Sequence, residues 1–167
     1  MNEDIFHLGV KAIIRNHYGE MLLLKANPVF VKSAKKRAFW DLPGGRIRRG
    51  DTIEETLKRE VEEETGITSF VSFRPLTAFV MPVRIVTGDT DVGLIFSVYL
   101  CEVNEIYEIR LSKEHTEARW VAPSEAAHLL GRRYPKEFID LELRNVLFCH
   151  CEESRTAGRR SNLLFKP

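Results

Sequence analysis

A chain of 167 residues with 44% apolar and 29% charged side chains can bury a real core in one domain and is too apolar for a disordered one. Its 25 basic and 24 acidic residues leave a formal charge of +1, which gives no support to nucleic acid or an anionic membrane as partner but leaves nucleotide-sized ligands open. No apolar run approaches the ~18 residues of a membrane span, and the start MNEDIFHLGV lacks a basic stretch followed by an apolar one, so the expected location is the cytoplasm.

In chain order, residues 8–26 read as two strands around the turn NHYGE, a hairpin signal. Residues 27–39 lack clean periodicity and cluster Lys32, Lys35, Lys36 and Arg37, so a basic loop is expected. DLPGG at 41–45 is a turn that continues neither a helix nor a central strand. From Asp51 to Thr65 the pattern is helical, with Asp51 and Glu54 spaced as a capping box and Gly66 placed to end the helix. Strand-like runs follow at 67–86 and 92–103, separated by the turn TGDTD, and another at 115–123. A short helix opens with Pro123 and ends near Leu130, and an amphipathic helix fits 135–148. The domain is placed at 1–150, with a polar, basic tail at 151–167 that reads as loosely attached.

Cys101, Cys149 and Cys151 form an odd set without repeated spacing, which argues against a disulfide framework. FCHCEE at 148–153 resembles a metal tract, but two cysteines and one histidine cannot close a tetrahedral zinc site alone. Reduced thiols are expected.

The helix at 51–65 poses the functional question, because Glu60, Glu62, Glu63 and Glu64 crowd its end. At about 100° per residue, with Ile53 at zero, Leu57 and Val61 fall near 40° and 80° and define the core face. Glu60, Glu64 and Glu63 fall near 340°, 20° and 280°, so these three share or border the buried face. Glu54, Glu55, Lys58 and Glu62 point to solvent. Two carboxylates at ~5 Å and an effective dielectric of ~20 repel by about 3 kcal/mol, enough to make them protonate, separate or recruit a cation. An all-oxygen donor set selects a hard ion such as Mg²⁺ or Mn²⁺. A solvated acidic helix with one arginine pair explains the helix equally well by itself. Gly44 and Gly45 favour the cation, since glycine lets the backbone approach a ligand and its carbonyl supplies a further oxygen.

Gly45, Arg59, Glu60, Val61, Glu63, Glu64, Gly66 and Ile67 match the spacing of a Nudix box, and over residues 7–130 the chain resembles Nudix (MutT-like) hydrolases. WDLPGG at 40–45 and EHTEARWV at 114–121 extend the likeness. One position departs: the first glutamate of the motif is Asp51, a methylene shorter, read here chiefly as the helix N-cap. The resemblance implies an α/β fold, an α/β/α sandwich on a mixed curved sheet, with the glutamate helix on one side and the 135–148 helix on the other. It also implies Mg²⁺-dependent hydrolysis of a pyrophosphate bond in a nucleoside diphosphate linked to another group, with Mn²⁺ able to substitute. Glu60, Glu63, Glu64 and a carbonyl of Gly44 or Gly45 are the expected metal ligands, and Arg59 orients the carboxylates. Glu114 is the first choice for an acidic residue from a later loop that acts as base, and Glu117 the second.

Arg46 and Arg48 (with Arg49 beside them) are candidates to grip outer phosphates or else solvated loop arginines, and Trp40 and Phe39 are candidates to stack on a base or else aromatics entering a core turn, the commoner case. Pro82 lies where ADP-ribose-cleaving relatives often carry a proline. The substrate is therefore expected among nucleoside triphosphates and nucleotide sugars such as ADP-ribose, and dimers are common among such relatives, which makes a homodimer compatible with the likeness. A catalytically weak Nudix-fold module that senses a nucleotide is the alternative, with Asp51 as its hint. A calcium-stabilised structural domain is a second. Prenyl-diphosphate isomerisation would need a catalytic cysteine partner that Cys101 lacks.

Overall fold

The hairpin opens. Strand β1 (Phe6–Arg15) and strand β2 (Met21–Ala26) pair antiparallel only next to their turn, where Arg15 faces Met21. The turn itself is held by the Asn16 side-chain oxygen, which accepts the N–H groups of Tyr18 and Glu20 at 3.0 Å. Beyond it the strands part and find other neighbours. Strand β2 pairs with the two-residue β3 (Trp40–Asp41), and also with the strand His115–Val121. Strand β1 runs parallel to the long strand Thr90–Glu102, from Phe6 opposite Gly93 to Arg15 opposite Glu102.

The wedge left between β1 and β2 is filled by the chain that follows β3. Pro43 and Gly45 carbonyls accept the N–H groups of Ala12 and Val10 at 2.9 and 2.8 Å, and Ile47 N–H donates to Leu8 at 3.1 Å. This places the two glycines inside the sheet's own hydrogen-bond pattern, so their position is set by β1.

The helix α1 (Ile53–Thr65) follows, then strands β4 (Ser72–Val80), β5 (Ile85–Thr87), β6 (Thr90–Glu102) and β7 (His115–Val121), the helix α2 (Pro123–Leu130) and a π-helical segment Phe138–Leu143. This computed structural model describes residues 3–31, 37–87, 90–104 and 107–143. Lys32, Lys35 and Lys36 of the basic loop, the second half of the expected 135–148 helix, the FCHCEE tract and the 151–167 tail lie outside the described residues.

The sheet is mixed, in the order β3-β2-β1-β6-β4, with β5 on β6 and β7 on β2. Side-chain alternation sorts its residues to two faces. Ile13, Met21 and Leu23 meet Val98, Leu100 and Val121 under α2 and the π-helical segment, which contribute Ala126, Leu130 and Phe138. Val10, Ala12, Ile14, Leu22 and Leu24 point the other way and bury Leu57 and Val61 of α1. Both faces are covered, which explains why β1 and β2 read as near-continuous apolar runs. Burying a Leu such as Leu57, which is fully inaccessible, stabilises by about 1.5–3 kcal/mol. The α/β/α sandwich and the opposite placement of the two helical layers are as expected.

Three local expectations change. The run 67–86 is two strands rather than one, and β4 lies at the sheet edge, where Pro75 is accommodated beside a register shift between Pro75 and Thr77. The described part of the 135–148 helix is π-helical at Phe138–Leu143. The N-cap of α1 is Thr52, not Asp51: the Thr52 hydroxyl accepts the Glu55 N–H at 3.2 Å, and the Glu55 carboxylate accepts the Thr52 N–H at 2.9 Å. Threonine is a favoured cap, ranked a little below aspartate, and the one-residue shift leaves the Asp51 carboxylate to pair with Arg59. Gly66 closes the helix as expected, donating its N–H to the Glu62 carbonyl at 2.9 Å. Among the described residues, no helix is long and apolar enough to cross a membrane.

Candidate metal and phosphate site

The last two turns of α1 lie against the glycine loop. Gly44 N–H donates to the Glu64 carboxylate at 2.8 Å. Gly44 adopts φ +127°, and a Cβ there would lie 2.3 Å from the Val10 carbonyl oxygen. A Cβ on Gly45 would lie 2.4 Å from a Glu60 carboxylate oxygen. Only two glycines let helix, loop and strand approach this closely.

The three carboxylates differ in exposure: the Glu60 and Glu64 side chains are 16% and 13% exposed, that of Glu63 is 53%. Burial pushes the Glu64 carboxyl up to about 7; Lys11 and the Gly44 N–H work against this, while Glu60 and Asp41 add to it. Arg59 is the clasp of the group. It reaches Glu60 at 2.5 Å and lies 3.8 Å from Glu63, and its other terminal nitrogen meets Asp51 at 3.3 Å. The Asp51 carboxylate, released from capping, therefore anchors the arginine that orients the glutamates.

A cavity of about 680 Å³ opens over this group. Glu60, Glu63 and Glu64 line it together with Gly44 and Gly45. Arg46, Arg48, Lys113 and Glu114 also line it, as do His7, Ile85, Leu94 and Phe96. Lys113 and Glu114 are held there through Asn27, which donates its side-chain amide to the Lys113 carbonyl at 3.0 Å and its N–H to the Glu114 carbonyl at 2.8 Å. Of the two base candidates only Glu114 lines this cavity. Glu117 sits on β7, bonded to Lys25 at 3.1 Å and Arg119 at 2.6 Å.

The aromatic candidates stand elsewhere. Trp40 lies on β3 with the Arg119 guanidinium 5.0 Å and the Lys25 ammonium 5.7 Å from its ring centre, and Phe39 carries the Arg133 guanidinium at 3.9 Å. Neither lines this cavity, whereas Phe96 does.

Several groups escaped the sequence reading. His115, next to Glu114, brings its Nε2 within 3.8 Å of Glu64 and its Nδ1 within 3.3 Å of the Ser112 hydroxyl. Burial and the Lys11 charge lower its pKa, which favours the neutral ring. Lys11 and Asp41 form a buried pair at 3.1 Å just behind the glycines. Burial by itself would raise the Asp41 pKa, but Lys11 and Arg133 outweigh it and hold the carboxyl below its usual range. Cys101 is a buried thiol, pushed up to about 12 by desolvation, and carries no nucleophilic character.

Among the described residues, no three His, Cys, Asp or Glu side chains form a ready-made metal cage. Arg59 pairs with Glu60 and approaches Glu63, and the Gly44 N–H holds Glu64. The donor chemistry nevertheless fits a hard divalent cation, because three carboxylates line one cavity beside backbone carbonyls and no soft ligand lies among them. The Gly44 and Gly45 carbonyls each already accept one bond, from Lys11 and from Val10, and each retains a second lone pair.

A mixed sheet between helices, with an acidic helix end set against a glycine loop at one cavity, defines the class: an α/β sandwich with a carboxylate-lined cleft. The chain belongs to the NUDIX domain family, whose model matches residues 5–141. It is 33% identical over 101 residues to a MutT-like protein of Streptomyces ambofaciens, covering 60% of this chain and 59% of that protein. It is 28% identical over 93 residues to the nucleoside triphosphatase NudI of Escherichia coli, covering 53% of this chain and 65% of the relative. The crystal structure of a MutT protein from Methanosarcina mazei Go1 superposes with a TM-score of 0.61 at 30% identity, covering 90% of this chain and 99% of that one. The chain spans less than two thirds of the length of either curated relative.

Proposed function

We propose that this chain hydrolyses a pyrophosphate bond in a nucleoside diphosphate linked to a further group, with Mg²⁺ held by Glu60, Glu63, Glu64 and a carbonyl of Gly44 or Gly45. The observation that carries the reading is the shared cavity: four carboxylates, two arginines and a lysine line it together with the apolar side chains Ile47, Ile85, Leu94 and Phe96. That combination suits a molecule with an anionic part and a flat, uncharged part. The domain is taken as 1–150.

A divalent ion bound there supplies charge neutralisation at phosphate oxygens and lowers the pKa of a bound water. The protein's own groups do the rest. Arg46, Arg48 and Lys113 offer charge-assisted hydrogen bonds to phosphate oxygens, and being exposed they can follow a polyphosphate of variable length. Arg59, anchored by Asp51, keeps the glutamates aimed into the cavity. Glu114 takes the proton of the attacking water, and its place on a loop tethered by Asn27 holds it at the cavity edge. Leu94, Phe96 and Ile85 offer the apolar wall for a base.

Among substrates, a nucleoside triphosphate is favoured over a nucleotide sugar such as ADP-ribose. Two relatives carry triphosphate-directed names, the nucleoside triphosphatase NudI and the 8-oxo-dGTP diphosphatase of Buchnera aphidicola, the latter 29% identical over 70 residues. The test is a panel of nucleoside triphosphates and nucleotide sugars incubated with Mg²⁺ and the purified chain, with phosphate and pyrophosphate release measured. Release from at least one triphosphate is expected. Tight binding of a nucleotide without any turnover would replace the enzyme by a sensing module.

A further inference from the structure

The Lys11–Asp41 pair is buried beneath the loop that carries the candidate site, with its two residues 5% and 8% exposed. Such a pair is weak support for stability, because well-packed apolar side chains of the same volume do as well. Its role is better sought in what it touches. The Lys11 ammonium spends all three of its donors: on the Leu42 carbonyl at 2.8 Å, the Gly44 carbonyl at 3.0 Å and the Asp41 carboxylate at 3.1 Å. The carbonyls of the two residues that flank Pro43 are thus held from below by one side chain. Gly44 then passes the constraint upward, since its N–H binds the Glu64 carboxylate at 2.8 Å.

Asp41 is fixed in turn. Its carboxylate accepts the Tyr134 hydroxyl and the Leu42 N–H at 2.9 Å, and Arg133 stands 3.8 Å away. A continuous set of contacts therefore runs from the segment after α2 through Asp41, Lys11 and Gly44 to Glu64. The two β1 neighbours of Lys11, Val10 and Ala12, bind the same loop through their N–H groups. Three consecutive residues of one strand are committed to one loop.

Resting on the reading above, we infer that Lys11 is a positioning residue of the metal site: through its bonds to the loop carbonyls it fixes the Gly44 peptide, and with it the direction of the Gly44 carbonyl and of Glu64. It touches no substrate. Its effect on metal binding is carried by geometry, and the opposed charges of Lys11 and Asp41 offset each other in part at Glu64.

The test uses the double variant Lys11→Met/Asp41→Asn, which leaves the net charge unchanged and keeps an acceptor for Tyr134 and Leu42. Mn²⁺ binding is followed by electron paramagnetic resonance without nucleotide, and Tm is measured in chelator. The expected result is a loss of about 10- to 100-fold in Mn²⁺ affinity, with the metal-free Tm changed by only a few degrees. A pair with a merely structural role gives the converse, a lowered Tm with affinity unchanged, and that result overturns the inference. Should the double variant not fold, Tyr134→Phe decides, since it removes only the hydroxyl that donates to Asp41 and lies 3.5 Å from the Leu42 N–H. A fall of about threefold or more supports the inference, on the scale of one hydrogen bond, and unchanged affinity overturns it. Wild-type protein that binds no Mn²⁺ sinks the site itself and this inference with it; wild-type binding with unchanged variants sinks the inference alone.

Discussion

Replacing Gly44 or Gly45 by alanine separates what the loop does for the fold from what it does for the site. At Gly44 the backbone sits at φ +127°, and the new Cβ would fall 2.3 Å from the Val10 carbonyl oxygen and 3.0 Å from the Lys11 Cα. Both obstacles are backbone, which cannot swing aside. A strained φ costs of order 1–3 kcal/mol, and displacing a strand adds to it, so about 3 kcal/mol or more of lost stability is expected. For a domain of this size each kcal/mol moves Tm by about 2–4 °C, so Gly44→Ala is expected to melt about 6–12 °C lower. At Gly45 no positive φ is involved, and the nearest atoms are the Glu60 carboxylate at 2.4–2.5 Å. The tip of a flexible side chain moves at little cost, so Tm should change by no more than about 2–4 °C, the equivalent of ~1 kcal/mol. Glu60 is then driven away from the cavity and from Arg59. Mn²⁺ affinity in Gly45→Ala should fall by about tenfold or more, on the scale of a disturbed ligand shell. Differential scanning calorimetry in chelator and Mn²⁺ titration of both variants give the two readings. A Gly45→Ala protein that binds Mn²⁺ like wild type while melting as low as Gly44→Ala would refute the reasoning, because the crowding would then lie in the backbone and not at Glu60.

Two further outcomes follow from placement and charge. Glu114→Gln should reduce kcat by about 10²–10⁴-fold without weakening Mn²⁺ binding comparably, whereas Glu117→Gln, remote from the cavity and bonded to Lys25 and Arg119, should leave kcat near wild type; steady-state kinetics with the best triphosphate of the panel decide this. Asp41 is ionised in the fold with its pKa depressed, so the stability it contributes is fully present above its unfolded value near ~3.9 and is lost as pH falls through the lower folded value. Chemical denaturation between pH 2 and 5, roughly the carboxylate range, should therefore show a shallower acid loss in Asp41→Asn than in wild type, and parallel curves would contradict the assignment.

How much of this was legible in the sequence depends on the range of the interactions involved. The glutamate helix was readable because its 3.6-residue period depends only on local geometry, and Glu60, Glu63 and Glu64 do line one cavity. Its cap was misjudged by one residue because Asp51–Glu54 and Thr52–Glu55 satisfy the same spacing; the arginine partner that draws Asp51 away lies eight residues on. The hairpin was visible, but its splaying was not, since it depends on β1 choosing β6 and the 42–47 loop as neighbours. Trp40 and Phe39 could be read either as base-stacking groups or as aromatics entering a core turn, and sequence could not show that Arg119 and Arg133 lie over their rings. Lys11 was hidden for a different reason. One lysine within VKAII reads as a strand's solvent face, and only the loop crossing beneath it reveals a buried ion pair.

Glu63 offers the most direct test of the central claim, that these carboxylates serve a metal ion that works on a diphosphate. Its side chain is half exposed and lies 3.8 and 3.9 Å from Arg59 and Arg48, contacts too loose and too wet to matter to folding. Glu63→Gln should accordingly melt with wild type in chelator, while Mg²⁺-dependent cleavage of a nucleoside triphosphate, followed by phosphorus NMR, falls by about 100-fold or more. Wild-type cleavage by a normally folded Glu63→Gln protein would contradict the account.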